Sequence, residues 1–478
     1  MKLFSRYKYV LIVLIISFLS VFSLLKSGLP PTHDGEYHVI RFYEFDQTLR
    51  SGVIYPRWAG DLNNNYGVPL FNFVYPFPNY FSSFLHLFGT SFIDAFKLNM
   101  FAATLVGGLF FYLWSKRFWG EIGGVVSSAF YAFSPYRFLD IFVRGSVGEI
   151  WALGLLPVFL WSVDRYLKKQ EKKHILLPSI ILSLIIFSHN ILGLMFFVLA
   201  FIYFCINVLM RPFKMGVFRK GLLIFILGIG LASVFWIPAI FEKSYTQGLE
   251  IFDYSAHFPD LYQLLIPSWG SGFSGQESGN QMSFQIGTAN LFAILASFIA
   301  LVLFYKQKNK NYKYISFFLF SFFIIFFLML RISSLFWTNV PIMRYFQFPW
   351  RFLSIEIIIC SFLAGSIIGL FKSYKKSKVS VLTAFVMISI VILLGIGYAK
   401  PPYYFQRTDN HYISRDNFIH GTNSPGNAFN TIWFNNKLPK GKQRIDSKDT
   451  ELQIIEDRPE FIKAKINALK ESEVTAKI

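Results

Sequence analysis

Charged residues are scarce in this 478-residue chain, since Asp, Glu, Lys and Arg together make up 15% of it. A typical soluble domain carries about 25% charged residues. The chain is also 54% hydrophobic and 19% aromatic, with a mean hydropathy of +0.45. A soluble fold has no interior large enough for this much apolar surface, whereas lipid accepts it. The composition therefore excludes a soluble enzyme and predicts an integral membrane protein.

Cysteine is nearly absent, and acidic residues are outnumbered. The two cysteines, Cys205 and Cys360, lie inside apolar runs, which excludes a disulfide framework and a zinc site built on cysteine. There are 27 acidic and 46 basic residues, for a net charge of +19. Because the basic residues cluster between apolar runs, they indicate the positive-inside pattern of membrane proteins and not nucleic-acid binding.

Apolar runs recur along the chain at lengths close to the roughly 20 residues that a membrane helix needs. The first run follows Lys2, Arg6 and Lys8, is too long for a signal-peptide core, and precedes no small-residue cleavage site, which predicts an uncleaved helix. The predicted fold class is all-α and polytopic. About eleven transmembrane helices are predicted, at residues 9–29, 95–115, 120–135, 149–167, 174–188, 190–210, 221–241, 286–305, 314–331, 352–371 and 380–399.

The basic clusters alternate with the predicted helices and so predict a topology. If the N-terminus is cytoplasmic, every second gap is short and basic, as at Lys116-Arg117 and Lys168-Lys169. Residues 1–399 then form a transmembrane domain of the plasma membrane, with outer loops at 30–94 and 242–285. Residues 400–478 form an extracytoplasmic tail with strand-like alternation. This tail either packs on the membrane domain or begins a truncated β-rich domain, and the second is favoured.

The first outer loop opens with a dense ionisable motif at residues 33–38, HDGEYH. In an extended segment Asp34 and Glu36 point to the same side and can share a metal or a proton. In a helix Asp34, His38 and Arg41 lie on one face instead. The simpler structural alternative is that Asp34 caps the helix that follows. Charge is costly at this depth in a membrane, which favours a functional site.

Other polar and aromatic segments fall on the same predicted outer face. The strip that contains Arg57 and Tyr66 suits either an aromatic belt at the membrane interface or sugar stacking. The fork of an arginine binds two phosphate oxygens, although interfacial arginines also anchor to lipid headgroups. The candidate substrate-binding residues are His33, His38, Arg57, Tyr66, Arg137, Arg144, Glu149, His189 and Arg351.

The ordered set of motifs resembles a membrane family named for 6-pyruvoyl-tetrahydropterin synthase-related domains, within the GT-C superfamily of glycosyltransferases. The resemblance covers about residues 30–355. It implies a GT-C-like fold, a polyprenyl-phosphate-linked sugar donor, Asp34 as catalytic base and Glu36 as a second acid. Some GT-C enzymes use a divalent metal, so Asp34 and Glu36 are also candidate ligands of Mg²⁺ or Mn²⁺. The motifs are residues 33–38, YPRW at 55–58, YGVPLF at 66–71, SPYR at 134–137 with Arg144 and Glu149, SHN at 188–190 and FPWR at 348–351.

The resemblance implies a hexosyl- or pentosyltransferase that moves a sugar from a lipid-linked donor to a glycan or protein acceptor at the outer face. Its expected partners are this donor, the acceptor and the bilayer, with no nucleic acid. A lipid or oligosaccharide transporter or flippase is one alternative, against which the scarcity of ionisable residues inside the helices counts. A non-catalytic membrane scaffold that presents the C-terminal tail is the other.

Overall fold

The computed structural model describes residues 2–210, 215–248, 253–275, 280–373, 377–422, 424, 427–434, 444–447, 450–468 and 470–476. Its helices are α1 (Lys2–Val21), α2 (Gly35–Arg50), α3 (Phe77–His86), α4 (Phe92–Ala132), α5 (Pro135–Leu139), α6 (Val147–Lys169), α7 (Lys173–Ser188), α8 (Asn190–Leu209), α9 (Met215–Leu231), α10 (Ser233–Phe241), α11 (Leu261–Leu265), α12 (Thr288–Lys306), α13 (Tyr312–Met329), α14 (Ser334–Asn339), α15 (Leu353–Ser373), α16 (Ser377–Gly395), α17 (Asp409–Ile413) and α18 (Asp416–Ile419). The strands are β1 (Ile445–Ser447), β2 (Thr450–Arg458), β3 (Phe461–Ala468) and β4 (Val474–Ala476), and they form two antiparallel pairs, β1 with β4 and β2 with β3.

Within the described ranges, eight helices are long and apolar enough to cross a membrane, or nine if the bent pair α9 and α10 is one span. The predicted number of about eleven is therefore not confirmed. The predicted helices 95–115 and 120–135 both fall in the range of α4, which comprises two helices that meet at Gly120. Gly120 has a non-helical backbone with a φ of 78°, which suits glycine. The two helices lie side by side, since Ser128 Oγ donates to the Gly108 carbonyl at 2.8 Å. A third predicted helix corresponds to α7, which is apolar but has 16 residues.

The helices α4, α6 and α15 form the centre of the membrane domain. In both α6 and the span that contains α15, 94% of the apolar window is buried, against 22% for α16. Glycines bring α4 and α6 together, since a Cβ added to Gly107 would lie 3.0 Å from the Cα of Gly154. Small residues at such crossings allow close packing of membrane helices. The outer helices leave large apolar side chains such as Phe385 and Leu393 exposed, as a lipid-facing surface requires.

The acidic motif of the first outer loop is helical. The helix α2 begins at Gly35, directly after Asp34, which confirms the helical alternative and not the extended one. Asp34 occupies the N-cap position, but its side chain makes no capping hydrogen bond. The Gly35 N–H donates instead to Thr32 Oγ1 at 3.1 Å. The carboxylate of Asp34 is therefore not used to cap its own helix.

The described residues of the tail pack against the first outer loop and its flanking helices. Asp409 accepts hydrogen bonds from the N–H groups of Phe92 and Ile93, at 2.7 and 3.0 Å, and so caps the start of α4. The Arg415 guanidinium forms an ion pair with Glu36 in α2. These contacts agree with the alternative that the tail packs on the membrane domain. The strands β1 to β4 lie near the end of the tail, where strands were predicted. The division of the chain at residue 399 stays a prediction.

Candidate active site

Asp34 is fixed against the segment that leads into α6. Its N–H donates to the carbonyl oxygen of Arg144 at 2.9 Å, and the residue before it makes the same kind of bond to the carbonyl of Val143. The close contact between the segment that contains Asp34 and the segment that contains Arg144 requires glycine at position 145. Gly145 has a φ of 69°, and a Cβ added to it would lie 2.4 Å from Thr32 Oγ1. A left-handed φ is readily adopted by glycine and strains other residues. The acidic motif and the arginine-bearing segment therefore form one packed unit.

The arginine-bearing segment is a single π-helical turn, Asp140–Arg144. Such turns are rare and are frequently found at functional sites. The turn aligns Asp140 with Arg144, whose Nη1 lies 2.5 Å from Asp140 Oδ1. Both side chains are buried. The Arg144 guanidinium is therefore held in place by Asp140 of the same turn.

Glu149, in the first turn of α6, holds two arginines from different parts of the chain. Its Oε1 accepts hydrogen bonds from Arg144 Nη2 at 2.7 Å and from Arg351 Nε at 3.1 Å. The hydroxyl of Tyr136 donates to its Oε2 at 3.3 Å. Because the Glu149 side chain is 0% exposed, these partners offset the cost of burying its charge. The carboxylate thus acts as a clamp that places two guanidinium groups side by side.

Arg351 lies in the short 3₁₀ turn Pro349–Phe352, which leads into α15. Its Nη1 donates to the carbonyl of Phe346 at 2.9 Å and to Gln347 Oε1 at 3.1 Å. The neighbouring ring of Trp350 faces the guanidinium of Arg144, with 4.8 Å from the Arg144 Cζ to the ring centroid. Aromatic faces attract cations, so the same turn supplies one arginine and supports the other.

His189 completes the cluster at the junction of α7 and α8. Its Nδ1 accepts a hydrogen bond from the Leu192 N–H at 3.2 Å, which places the proton of the neutral ring on Nε2. That Nε2 lies 3.6 Å from Glu149 Oε1. Burial is the main cause that lowers the pKa of His189 to about 3, opposed by Glu149 and reinforced by Arg351 and Arg144. His189 is therefore a neutral group in this site.

The charge balance of the cluster depends on Asp140. Burial, followed by the nearby Glu149 carboxylate, raises the pKa of Asp140 above its ordinary value, although the Arg144 and Arg351 guanidinium groups oppose the shift. When Asp140 is protonated, two arginine cations face the single carboxylate of Glu149. The cluster then carries a net positive charge in a buried place, which suits an anionic ligand.

The two histidines of the acidic motif lie close to this cluster. His33 contacts the carbonyl oxygen of Ser271 through Nε2 at 2.8 Å and stacks on Phe273 with 4.3 Å between ring centroids. His38 is 2% exposed and lies 6.5 Å from the ring of Tyr75, whose centroid is 5.1 Å from that of His189. Burial lowers the pKa of both His33 and His38. Tyr75, which the sequence argument did not single out, thus bridges the motif and the cluster.

Two other predicted substrate-binding residues, Arg57 and Tyr66, lie apart and contact other parts of the loop and tail. Arg57 Nη1 donates to Asn72 Oδ1 at 2.8 Å. The ring of Tyr66 is 8% exposed and packs edge-on against Phe434, with 5.9 Å between centroids. The predicted role of both side chains in substrate binding stays a prediction.

Arg137 is also separate from the arginine cluster, contrary to the grouping expected from the sequence. Its side chain is 0% exposed, and its Nη2 donates to Thr104 Oγ1 of α4 at 2.8 Å. The Tyr131 ring centroid lies 4.4 Å from its Cζ. These contacts turn the guanidinium into the helix bundle. The prediction that Arg137 holds the donor phosphate therefore has no support from its position.

The predicted Mg²⁺ or Mn²⁺ site does not fit the residues. Within the described ranges, no group of three or more His, Cys, Asp or Glu side chains is arranged to hold a metal ion. Glu36 is engaged by Arg415, and the helical form of the motif does not pair Glu36 with Asp34 as an extended segment would.

Comparison with known proteins places this geometry in a family and a fold. An uncharacterized protein of Lactococcus lactis subsp. cremoris is 20% identical over 249 residues, which are 49% of this chain and 40% of the relative. The chain thus matches less than half the length of that relative.

Solved structures of membrane glycosyltransferases are similar to the chain. The arabinofuranosyltransferase AftD from mycobacteria has a TM-score of 0.50 at 14% identity, covering 84% of this chain and 28% of that one. The oligosaccharyltransferase AglB from Archaeoglobus fulgidus, in complex with an inhibitory peptide and a dolichol-phosphate, scores 0.46 at 12% identity, covering 84% and 57%. ArnT from Cupriavidus metallidurans, bound to undecaprenyl phosphate, scores 0.43 at 12% identity, covering 81% and 63%. The likeness to AftD confirms the predicted GT-C-like fold.

The profile of the 6-pyruvoyl-tetrahydropterin synthase-related domain, described as a membrane protein, matches residues 71–399, which is more than half of the chain. This stretch contains the π-helical turn, Glu149, His189 and Arg351. The chain therefore belongs to the 6-pyruvoyl-tetrahydropterin synthase-related family of membrane proteins.

Proposed function

We propose that this chain is a membrane glycosyltransferase that moves a sugar from a polyprenyl-phosphate carrier to an acceptor hydroxyl. The observation that carries the proposal is the attachment of Asp34 to the segment whose Arg144 is clamped beside Arg351 by Glu149. It places a carboxylate and two fixed guanidinium groups within one packed unit. The fold shared with an arabinofuranosyltransferase is compatible with this chemistry.

The transfer exchanges one bond at the anomeric carbon of the sugar. The acceptor hydroxyl oxygen forms a bond to that carbon as the bond from the carbon to the phosphate oxygen breaks. The hydroxyl proton passes to the Asp34 carboxylate, and the bonding electron pair leaves with the polyprenyl phosphate. The reaction therefore needs a base for the acceptor and cations for the leaving group.

Asp34 is suited to act as the base. It is half-buried, and its side chain is not used to cap α2, because Thr32 provides the acceptor for the Gly35 N–H. Its main chain is fixed by the bond to Arg144, which limits the movement of its carboxylate. Glu36, the second acid of the motif, is paired with Arg415 and has no assigned step.

Arg144 and Arg351 are the proposed phosphate-binding residues. A guanidinium has more N–H donors than the contacts described above engage, and its fork matches two phosphate oxygens. Glu149 orients both groups, and the net positive charge that follows protonation of Asp140 favours an anion. His189, neutral and aimed at Glu149, supports the clamp and adds no charge.

The proposed topology places this site on the outer face of the plasma membrane, with the N-terminus in the cytoplasm and the tail outside. Its support is the alternation of short basic gaps, such as Lys116-Arg117, with longer mixed loops. The first outer loop, which provides Asp34, and the described tail are then on the same side. The acceptor would be a glycan or a protein at that surface.

A direct test uses the full chain in phosphatidylcholine nanodiscs, with a panel of undecaprenyl-phosphate-linked hexoses and pentoses as donors and a panel of glycans and peptides as hydroxyl-bearing acceptors. Mass spectrometry measures the release of undecaprenyl phosphate. For the accepted donor, D34N should lower the rate by about 100-fold or more, as expected for loss of a general base. The matched control D416N changes an aspartate whose side chain is 94% exposed and should leave the rate unchanged.

Two outcomes contradict the proposal. One is a folded wild-type protein that releases undecaprenyl phosphate from no member of the panel. The other is a D34N variant that keeps the wild-type rate while its thermal unfolding matches that of the wild type.

A further inference from the structure

A cavity lies at the opposite end of the bundle from the arginine cluster. Glu149 is in the first turn of α6 and Lys168 in its last turn, and a helix of these 23 residues is about 35 Å long. The cavity has a volume of about 530 Å³ and lies between the end of α6, the start of α13 and the junction in α4 at Gly120. Its lining residues are Arg117, Phe118, Asp164, Lys168, Asn311 and Tyr314.

Arg117 is held at this cavity by a buried carboxylate. Its Nη1 lies 2.8 Å from Asp164 Oδ2, and the Asp164 side chain is 1% exposed. Its Nη2 donates to the main-chain carbonyl of Asp164 at 3.4 Å. An arginine that only anchored a helix to lipid headgroups would extend outward to the interface. The Arg117 side chain instead has a fixed orientation, and because it is 28% exposed it remains accessible to a ligand.

The wall of the cavity opposite Arg117 is also held in place. Asn311 Nδ2 donates to the Phe118 carbonyl at 3.0 Å, which joins the start of α13 to α4. The rings of Phe118 and Tyr314 pack edge-on with 4.7 Å between centroids. The Tyr314 hydroxyl donates to Asn207 Oδ1 of α8 at 2.9 Å. These contacts give a pre-formed cavity with aromatic and polar parts, which is the general character of a ligand site.

The charges around the cavity favour an anion. Asp164 balances one cation of the lining, Arg117, and the exposed Lys168 leaves a net positive charge. The segment between α12 and α13, which provides Asn311, adds Lys308 and Lys310 and contains no acidic residue. A concentration of one sign of charge in a concave surface attracts ligands of the opposite sign.

From these features we propose that the cavity binds the phosphate of a phosphate monoester, carried either by an acidic phospholipid or by a soluble ester. The Arg117 guanidinium and the Lys168 ammonium contact the phosphate oxygens, since these two groups are the usual phosphate-binding side chains. The part of the ligand that bears the phosphate lies against Phe118 and Tyr314. In the proposed topology this end of the bundle faces the cytoplasm, where basic pockets between membrane helices bind anionic headgroups.

The test compares two phosphate probes with their uncharged counterparts. Phosphatidic acid is compared with diacylglycerol, and glycerol 3-phosphate with glycerol. Native mass spectrometry of the full chain in dodecyl maltoside, a detergent without phosphate, measures binding. The wild type should bind at least one phosphate probe about tenfold more tightly than its counterpart, as expected for a hydrogen bond to a charged group. Preference for the lipid probe identifies a phospholipid as the source, and preference for the soluble probe identifies a soluble ester.

Adjacent lysines at the end of α6 provide matched variants. K168Q removes a cation of the lining and should lower the affinity for the bound phosphate probe by about tenfold. K169Q removes the same charge from an exposed residue outside the lining and should bind like the wild type.

A second variant tests Arg117 without leaving its buried partner unpaired. R117Q alone would strand the Asp164 carboxylate, so the double variant R117Q/D164N is used, and it keeps the net charge of the chain. It should also lose about tenfold in affinity for the phosphate probe, whereas an effect of net charge alone predicts no loss.

Equal affinities of the wild type for both phosphate probes and their uncharged counterparts would overturn the proposal. Equal losses in K168Q and K169Q would also overturn it, because general surface charge and not this cavity would then determine binding. D34N should bind the phosphate probes like the wild type, since Asp34 is bonded to the segment before α6, at the other end of the bundle. Failure of the transfer proposal is therefore separable from failure of this one.

Discussion

Asp34 and Arg144 are joined through their main chains, by a hydrogen bond of 2.9 Å from the N–H of one to the carbonyl of the other. The proposed base and one proposed phosphate-binding residue therefore share a backbone contact as well as a site. A displacement of either segment moves both groups, so a substitution that shifts one segment is expected to change the position of the other residue as well.

Gly145 tests this connection. G145A places a Cβ 2.4 Å from Thr32 Oγ1 on a backbone with a φ of 69°. We expect a loss of about 1–3 kcal/mol in unfolding free energy and a lower transfer rate, because the Asp34 segment must move away. The control G216A lies in α9 with no atom within 4 Å of the added Cβ and should be neutral or slightly stabilising. Equal effects of the two changes on denaturant unfolding would contradict the close-approach argument.

Glu149 is predicted to be essential for stability as well as for donor binding. E149Q removes the charge that pairs with Arg144 and Arg351 and should cost about 3–5 kcal/mol, as for other broken buried ion pairs. Surviving folded protein should show a raised KM for the lipid-linked donor. E171Q, which changes an exposed pair with Lys173, serves as the control. A thermal midpoint of E149Q equal to that of the wild type would show that the clamp is not structural.

The neutral histidines predict a pH dependence of stability. Burial, the largest cause, lowers the pKa of His189 to about 3 and places that of His38 well below its ordinary 6.5. The unfolded chain takes up these protons as the pH falls below about 6.5, whereas the folded chain does not, so stability decreases from pH 6.5 downward. Thermal midpoints measured from pH 8 to pH 5 should fall below pH 6.5. The fall should be shallower in H189N, and an unchanged slope in that variant would contradict the assignment.

The ion pair between Glu36 and Arg415 is predicted to make a small contribution to stability. Its side chains are 25% and 34% exposed, so solvent screens the pair, and a double-mutant cycle of E36Q and R415Q should give a coupling energy of about 0.2–1 kcal/mol. The same variants should increase proteolysis of the tail while keeping most of the transfer rate. If E36Q abolishes transfer as D34N does, Glu36 has a chemical role that its pairing does not indicate.

Much of the site was predictable because the signals are local. The composition predicted a membrane protein, and the motifs identified four residues of the site as candidates: Arg144, Glu149, His189 and Arg351. Asp140 was not among the predicted site residues. It lies four residues before Arg144, and this spacing could have predicted an ion pair between the two if the segment is helical. Arg415 had no signal, because only the packing of the tail brings it to Glu36.

The errors also have physical reasons. The number of spanning helices is not confirmed, because the range Phe92–Ala132 joins two helices at Gly120 and because α7 is shorter than a usual span. Arg137 was grouped with the other arginines because charge pattern does not show which way a side chain turns. Its helix α5 directs it toward Thr104.

The capping of α4 by Asp409 has a consequence for the order of synthesis. The start of α4 and its cap are 317 residues apart, and Glu36 is 379 residues from Arg415. A nascent chain that has emerged only as far as α15 already contains every proposed catalytic group but lacks both of these late contacts. The first outer loop can reach its final structure only after residues 409–415 have been synthesised, and mature activity should appear after that step.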